Sequence, residues 1–308
     1  MSVDKPKIVV VAGPTASGKT ALGLRLAEKF SGEIVSADSI QVYRYMDIGS
    51  AKPSPEERSR VPHHMIDIRD PDEDFSAGDY LREGRRCVDD ILSRGKVPFV
   101  VGGTGLYIRT LLHGLVDAPG SSAEIRAGLK AEEEQFGPGT LYEKLVALDP
   151  EAAHNMSREN LPRIVRALEV IALTGRKISE FQANHGFREC PYVHLLTCLD
   201  IERTVLYERI DKRVDSMVKE GLIEEVRNLY SRGYSRDLKA LQSLGYRHAA
   251  MILSGEMDRN EAIRLMKRDT RHYAKRQLTW FRSEPEACWC EPHHEEGIEL
   301  MVSHFLGR

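Results

Sequence analysis

No run of apolar residues in this sequence approaches the ~20 needed to cross a bilayer, which excludes a membrane-spanning helix. The opening segment MSVDKPKIVVVAG runs straight into a β-branched stretch and lacks a signal-peptide layout. Cysteine is sparse and odd in number. Cys87, Cys190, Cys198, Cys288 and Cys290 are scattered, which argues against a disulfide framework and suits a reducing cytoplasm. Internal repeats and low-complexity tracts are also missing. Nor is there a strong charge of one sign, since the net is -3. That balance hides an asymmetry: Ile201–Ser283 carries a net of +6 and the remainder -9. Six glutamates between Glu284 and Glu299 have no Lys or Arg among them. A basic block inside a slightly acidic chain points to a polyanionic partner.

What is present starts with GPTASGKT, Gly13 to Thr20, which fits the phosphate-cradling pattern G-x-x-x-x-G-K-[ST]. It follows a β-branched run, KIVVVAG, and opens KTALGLRLAEKF, whose Leu22, Leu26 and Phe30 recur at helical spacing up to a stop at Gly32. EIVSADS reads as a second strand ending at Asp38. FSAGDYLREGRRCVDDILSRG is a helix with Ser76 and Asp79 in capping-box spacing and Gly95 as terminator. Val97–Gly103 is a third strand, with a helix in TGLYIRTLLHG behind it. This β-α-β-α-β order predicts a parallel sheet with right-handed crossovers. From Asp117 to about Glu189 only helical patterns appear, the clearest being NLPRIVRALEVIALTG with Asn160 as cap and Gly175 as terminator. Tyr192–Asp200 restores a strand. The fold expected is α/β, a P-loop NTPase-like parallel sheet core flanked by helices, with an all-helical insertion domain. Its parts are a first core segment 1–116, the insertion 117–190, a second core segment with basic helices 191–283, and an acidic tail 284–308.

In the glycine loop, backbone N–H groups and the helix dipole bind oxyanions, Lys19 adds a point charge, and Thr20 is placed to ligate Mg²⁺. ATP chemistry calls for an acid ending a later strand, yet the third strand ends VVGGTG. The best-placed acid is Asp38, as general base or metal ligand, with a turn or cap role as the alternative. DSIQVYRYMDIGSAKP beside it reads as a substrate-contacting loop, with an ordinary surface loop as the alternative. VGGTG permits close backbone approach to a ligand or simply makes a tight turn. HHMID puts His63, His64 and Asp67 within hydrogen-bonding range of one another, and structural roles are favoured over a metal site. In CWCEPHH the C-x-C spacing is a poor zinc pattern. Arg264, Arg268, Arg271, Lys275 and Arg282 fall on one helical face with Tyr273, Trp280 and Phe281 interleaved. That suits a phosphate backbone and stacking on exposed bases. The competing reading is a solvated face over a core of Met266, Ala274 and Leu278.

Taken in order, GPTASGKT, DSIQVYR, DIGSAKP, HHMID, FSAGDY, VGGTGLYI, NLPRIVRALEV, LGYR and AKRQLTWFR closely resemble the tRNA dimethylallyltransferases, also called tRNA isopentenyltransferases, of bacterial type. The likeness runs from about Lys7 to Arg282. Ser50 departs from the family's usual Thr but keeps the hydroxyl, and nothing after Ser283 is carried over. The resemblance implies transfer of a dimethylallyl group from dimethylallyl diphosphate to N6 of the adenine just 3′ of the anticodon, releasing diphosphate. It implies a diphosphate held by Gly13, Pro14, Thr15, Ala16, Ser17, Gly18, Lys19 and Thr20. Lys19 would balance charge, Thr20 would hold Mg²⁺, and Arg213 would reach the departing pyrophosphate. Asp38 would take the N6 proton, with Ser39, Ile40, Gln41 and Thr104 framing the base. Contacts to tRNA would come from Arg126, from Glu159, Asn160, Leu161, Pro162 and Arg163, and from Gly245, Tyr246 and Arg247. Lys275, Arg276 and Gln277 on the basic helix would complete them. A cytoplasmic monomer without a membrane partner is expected. A P-loop kinase, and a non-catalytic RNA-binding protein using the loop as a nucleotide sensor, are the competing readings.

Overall fold

The structure, a computed structural model, describes residues 5–116, 118–185 and 189–308. It divides into two compact units, one of Met1–Leu112 with Cys190–Arg308 and one of His113–Glu189. Asp117, where the sequence reading opens its insertion, lies outside the described residues.

The first unit begins β1 (Lys7–Ala12), α1 (Lys19–Lys29), β2 (Gly32–Ala37), α2 (Pro55–Arg60), β3 (His63–His64), α3 (Ala77–Ser93), β4 (Val97–Gly102) and α4 (Gly105–His113). The second unit holds α5 (Ala123–Phe136), α6 (Thr140–Leu148), α7 (Pro150–His154), α8 (Leu161–Thr174) and α9 (Ile178–His185). The chain then returns to the first unit with β5 (Val193–Leu199), α10 (Arg203–Glu220), α11 (Leu222–Ser231), α12 (Tyr246–Leu253) and α13 (Arg259–Arg282). It ends with β6 (Ala287–Cys290) and α14 (Glu295–Leu306).

The six strands make one all-parallel sheet in the order β3-β2-β4-β1-β5-β6. Along β1, Ile8, Val10 and Ala12 join the core under the helices α3, α4 and α11 to α13. Val9 and Val11 point the other way, into a core shared with α1 and α14. A strand buried on both faces needs a continuous β-branched run, which KIVVVA supplies. The register pairs Ala12 with Gly102 and Cys198, and Ala37 with Gly102. The carboxyl ends of β1, β2, β4 and β5 therefore lie level, and the segments leaving them meet along one edge, where open α/β sheets bind ligands.

Local signals explain most boundaries. Ser76 and Asp79 form a reciprocal capping box on α3, and Gly175 ends α8 in the left-handed conformation. Three expectations need correction. Gly32 does not stop α1; that helix ends at Lys29, Ser31 takes the left-handed φ of 53°, and Gly32 opens β2. A Cβ on Gly32 would sit 2.5 Å from the Phe99 ring, so close strand packing is what requires glycine there. Asn160 does occupy the cap position of α8, but its side chain makes no capping hydrogen bond. The residues after Ser283 are not a bare acidic tail, since they supply the edge strand β6 and α14. On α14, Ile298 and Val302 pack against the apolar face of α1, while Glu295 and Glu299 pair with Arg25 and Lys29 of that helix. The Lys7 ammonium also donates to the Phe305 carbonyl at 2.7 Å.

The second unit closes on its own core of Leu129, Leu141, Leu145, Ile164, Leu168 and Ile178. Glu169, fully buried, accepts from Arg126 at 2.8 and 3.0 Å, from Arg166 at 2.7 Å and from the Ser122 N–H. These donors outweigh its desolvation and hold its carboxyl down at about 2. No helix among the described residues is long and apolar enough to cross a membrane.

Candidate active site

The glycine loop turns sharply at Gly13, where a Cβ would stand 2.8 Å from the Ser17 hydroxyl and 3.3 Å from the Leu199 Cβ. It enters α1 through Gly18 at φ 93°, with no side chain capping the helix. The first-turn N–H groups are thus left for an anion. The Lys19 ammonium donates to the Pro14 carbonyl at 3.1 Å, which draws it back over the loop. Burial, reinforced by the neighbouring Arg213 and opposed by Asp38, lowers its pKa to about 8. Lys19 is therefore a cation at neutral pH and loses that charge as pH rises through about 8. Inorganic pyrophosphate should bind progressively more weakly across that range, and Lys19→Arg should abolish the weakening, as titration calorimetry would show. Affinity that stays flat into strong alkali would remove Lys19 from the phosphate site.

Asp38 leaves the end of β2 and is fixed by its own loop. Its Oδ1 accepts the N–H of Ile40 at 2.8 Å and of Gln41 at 3.2 Å, while Oδ2 has no hydrogen-bond partner among the described residues. The carboxylate is thus positioned with one oxygen spare. From the β4 turn, Thr104 donates its N–H to the Ala37 carbonyl at 3.0 Å and accepts the Ser39 N–H at 3.2 Å. VGGTG is accordingly stitched to the Asp38 turn. The Gln41 amide accepts from Ser36 at 2.9 Å and donates to the Ala51 carbonyl at 3.2 Å, which closes the loop on itself.

Farther along the same loop, three successive N–H groups of Asp47, Ile48 and Gly49 point at the Glu225 carboxylate of α11, at 3.0, 2.8 and 3.2 Å. The Tyr246 hydroxyl, at the start of α12, donates to the same carboxylate at 2.7 Å. Lys52 reaches Asp67 at 2.6 Å and the Tyr43 carbonyl at 2.9 Å. DIGSAKP is therefore pinned by a partly buried acid and its own lysine.

These segments enclose a cavity of about 280 Å³. Thr15, Lys19, Thr20 and Arg213 line one part, Asp38, Ser39, Ile40 and Gln41 another, and Val214, Met217, Leu244 and Met266 supply apolar wall. Arg213 has no ion pair among the described residues, and burial lowers the pKa of its guanidinium. An unneutralised guanidinium and an ammonium facing one space make an anion site; Asp38 beside them adds a base, and the aliphatic wall adds room for a small hydrocarbon. Sequence reasoning missed the α13 part of this wall. Met266, Thr270, Tyr273 and Gln277 recur at helical spacing, so the stripe was visible, but not what it faced.

The structure redistributes the basic helix. Arg264 pairs with Glu261 at 2.8 Å, Lys267 with Asp215 at 2.7 Å and Arg268 with Asp269 at 3.0 Å, and Arg271 bonds Asp211. Lys275 and Arg276 are exposed and have no ion pair among the described residues, although Arg276 lies 5.8 Å from the Tyr273 ring centroid. The aromatics do not offer faces to exposed bases. Phe281 is 1% exposed in the core, Trp280 lies under the Arg109 guanidinium at 4.3 Å, and Tyr273 is turned into the cavity. Met266 and Ala274 are core, as the competing reading had it, with Leu278 partly buried beside them. Gln277 is also turned inward, onto the Thr15 N–H and the Gly103 carbonyl.

Other expectations sort as follows. His63, His64 and Asp67 do not bond one another: His63 meets the Val61 carbonyl at 2.7 Å, His64 meets Glu33 at 2.7 Å, and Asp67 meets Lys52 and Arg58. Their roles are structural because β3, too short to read from sequence, turns the two rings to different neighbours. Of the LGYR segment, Leu244 and Arg247 line the cavity, Gly245 has φ 89° and Tyr246 is buried. Arg247 is held by Asp269. In the second unit, Glu159, Pro162 and Arg163 are exposed around the start of α8, with Asn160 and Leu161 partly exposed, while Arg126 is engaged with Glu169.

Known proteins resemble this chain in sequence and fold. A family model described as IPP transferase matches residues 41–284, and one described as isopentenyl transferase matches residues 6–73. The chain is 51% identical over 303 residues to tRNA dimethylallyltransferase 2 of Geotalea uraniireducens, covering 98% of this chain and 97% of the relative. Among solved structures, the full-length tRNA isopentenylpyrophosphate transferase of Bacillus halodurans is 41% identical with a TM-score of 0.73, covering 98% of this chain and 97% of that one. A eukaryotic dimethylallyltransferase acting on tRNA is 28% identical with a TM-score of 0.81, covering 98% of this chain and 80% of that one.

Proposed function

This chain belongs to the IPP transferase family and is an enzyme that transfers a dimethylallyl group to tRNA, and we propose that the cavity between the glycine loop and Asp38 is where it does so. The observation that carries this reading is the lining: four cationic side chains (Lys19, Arg213, Arg247 and Arg276), an aspartate with a spare oxygen and an aliphatic wall share one small space. The donor is dimethylallyl diphosphate, and the acceptor is N6 of the adenine 3′-adjacent to the anticodon. The glycine loop, Lys19 and Arg213 hold the diphosphate, and Val214, Met217, Leu244 and Met266 take the five-carbon tail.

Adenine N6 is a weak nucleophile because its lone pair is delocalised into the ring. Asp38 Oδ2 accepts its proton as the N6–C1 bond forms and the C1–O bond to diphosphate breaks. Positive charge on the allylic carbon and negative charge on the departing oxygens grow together, and fixed cations aimed at those oxygens lower the barrier. Tyr273, whose phenol is kept protonated by burial and by nearby Asp38, bonds Thr104 and braces the wall beside the base. The target base must leave its stack to enter so small a cavity.

A divalent metal fits the donor set. Mg²⁺ binds through one or two protein oxygens plus substrate phosphates and water, and the Thr20 hydroxyl on the cavity wall offers the first. When bound, it would draw charge from the leaving diphosphate. The kinase reading is not favoured, since the cavity's only carboxylate among the described residues is Asp38, which stands ready as a proton acceptor.

The exposed Lys275 and Arg276 serve the anticodon stem–loop, and the exposed start of α8 is a separate tRNA contact of the second unit. If so, tRNA affinity should fall steeply with ionic strength, and Lys275→Ala with Arg276→Ala should flatten the log–log slope by about one per lost phosphate contact. An unchanged slope would return both residues to the solvated surface. The reaction is tested with purified protein, Mg²⁺, labelled dimethylallyl diphosphate and unmodified tRNA: label in the tRNA is expected. ATP-dependent phosphorylation of a substrate with no label in tRNA would overturn the reading.

A further inference from the structure

Gln277 lies on α13 directly after the exposed Lys275 and Arg276, yet it is only 6% exposed and, with Arg276, lines the cavity. Its Oε1 accepts the Thr15 N–H at 2.8 Å, and its Nε2 donates to the Gly103 carbonyl at 2.8 Å. The partners dictate the orientation of the amide, a donor on one side and an acceptor on the other. Gly103 must be glycine for this contact, because a Cβ there would collide with Nε2. One amide thus joins the diphosphate loop to the β4 turn. That turn continues through Thr104 to the Ser39 N–H, immediately after Asp38.

The geometry points to Gln277 as a positioning residue that holds the diphosphate loop from the RNA-facing helix, linking tRNA seating to donor binding. The inference rests on the tRNA and donor reading given above. Four features support it. The helix is a 24-residue rigid element anchored in the core by Met266, Ala274 and Phe281. Its exposed cations and its buried amide occupy adjacent positions. Both bonds are well formed at 2.8 Å, so a shift of the amide is passed to Thr15. Thr15 sits between Gly13 and Gly18, both at positive φ, where the loop is least constrained by side chains. Linkage of this kind is reciprocal: whatever tRNA does to donor affinity, donor does equally to tRNA affinity.

The experiment measures inorganic pyrophosphate binding, with Mg²⁺, in the presence and absence of a saturating unmodified anticodon stem–loop. In the wild-type enzyme the stem–loop should tighten pyrophosphate binding by about fivefold or more. In Gln277→Met, pyrophosphate alone should bind about tenfold more weakly, as expected for losing one well-made hydrogen-bond pair. The stem–loop should then no longer change that affinity, while stem–loop binding to the free enzyme stays at the wild-type value. Gln277→Glu, which keeps the acceptor for Thr15 but sets an oxygen against Gly103, should fall between. Should Gln277→Met not fold, Gly103→Ala crowds the same amide from the other side and is read in the same way. A stem–loop effect that survives in the variants overturns the inference, as does a loss of stem–loop affinity with pyrophosphate binding intact. A wild-type enzyme that binds pyrophosphate but no stem–loop would instead sink the tRNA reading on which the inference stands.

Discussion

Asp38→Asn should lower the rate of dimethylallyl transfer by about 10²–10⁴-fold, the span typical of a positioned general base, while leaving pyrophosphate and tRNA affinities close to wild type. The expectation follows from how the side chain is held. An asparagine keeps an oxygen for the N–H groups of Ile40 and Gln41, so the turn that carries it has no reason to move. What it loses is the ability of the other terminal atom to accept a proton. Single-turnover labelling of tRNA at saturating donor isolates the chemical step from binding. A loss of less than about tenfold would make Asp38 a turn-holding residue and leave N6 to be deprotonated by solvent. Asp38→Ala is the less informative variant, because it also frees two backbone donors and loosens the loop.

Arg213→Ala is the second large effect, an expected loss of about 10²–10³-fold in transfer rate, by analogy with removal of one fixed donor to a developing oxyanion. Arg213 stands on α10 one turn before Met217, so one helix presents both a cation and a piece of the aliphatic wall to the cavity. Burial lowers the pKa of this half-buried guanidinium despite the opposing pull of Asp38 and Glu220, and a bound diphosphate relieves that penalty. The attraction should grow as charge accumulates on the leaving oxygens, so the rate should suffer more than the donor KM. Arg213→Lys keeps the charge but not the planar fork and should recover only part of the activity. A KM that rises with an unchanged kcat would instead place Arg213 in ground-state binding alone.

The legible parts of this protein are those governed by local rules. The glycine loop between a β-branched run and a helix, the Ser76 capping box and the left-handed Gly175 each depend on residues within a few positions of one another. The placement of Asp38 at a strand end beside the loop was legible for the same reason. The parts that were not legible depend on distant partners. Six glutamates after Ser283 read as solvated acid, yet Glu295 and Glu299 answer Arg25 and Lys29, some 270 positions earlier. Trp280 and Phe281 alternate with cations in a pattern that suits RNA, but the periodicity of a helix names a face and not what covers it. Gln277 shows the same limit: nothing near it in sequence announces Thr15 or Gly103.

The docking of α14 on α1 has a consequence for synthesis. The helix that opens from the diphosphate loop packs its apolar side partly against Ile298 and Val302, which the ribosome delivers some 270 residues later. A nascent chain therefore exposes the helix of its phosphate-binding motif before the cover for that helix has been made. Until then Leu22, Leu26 and their neighbours lack part of their apolar cover.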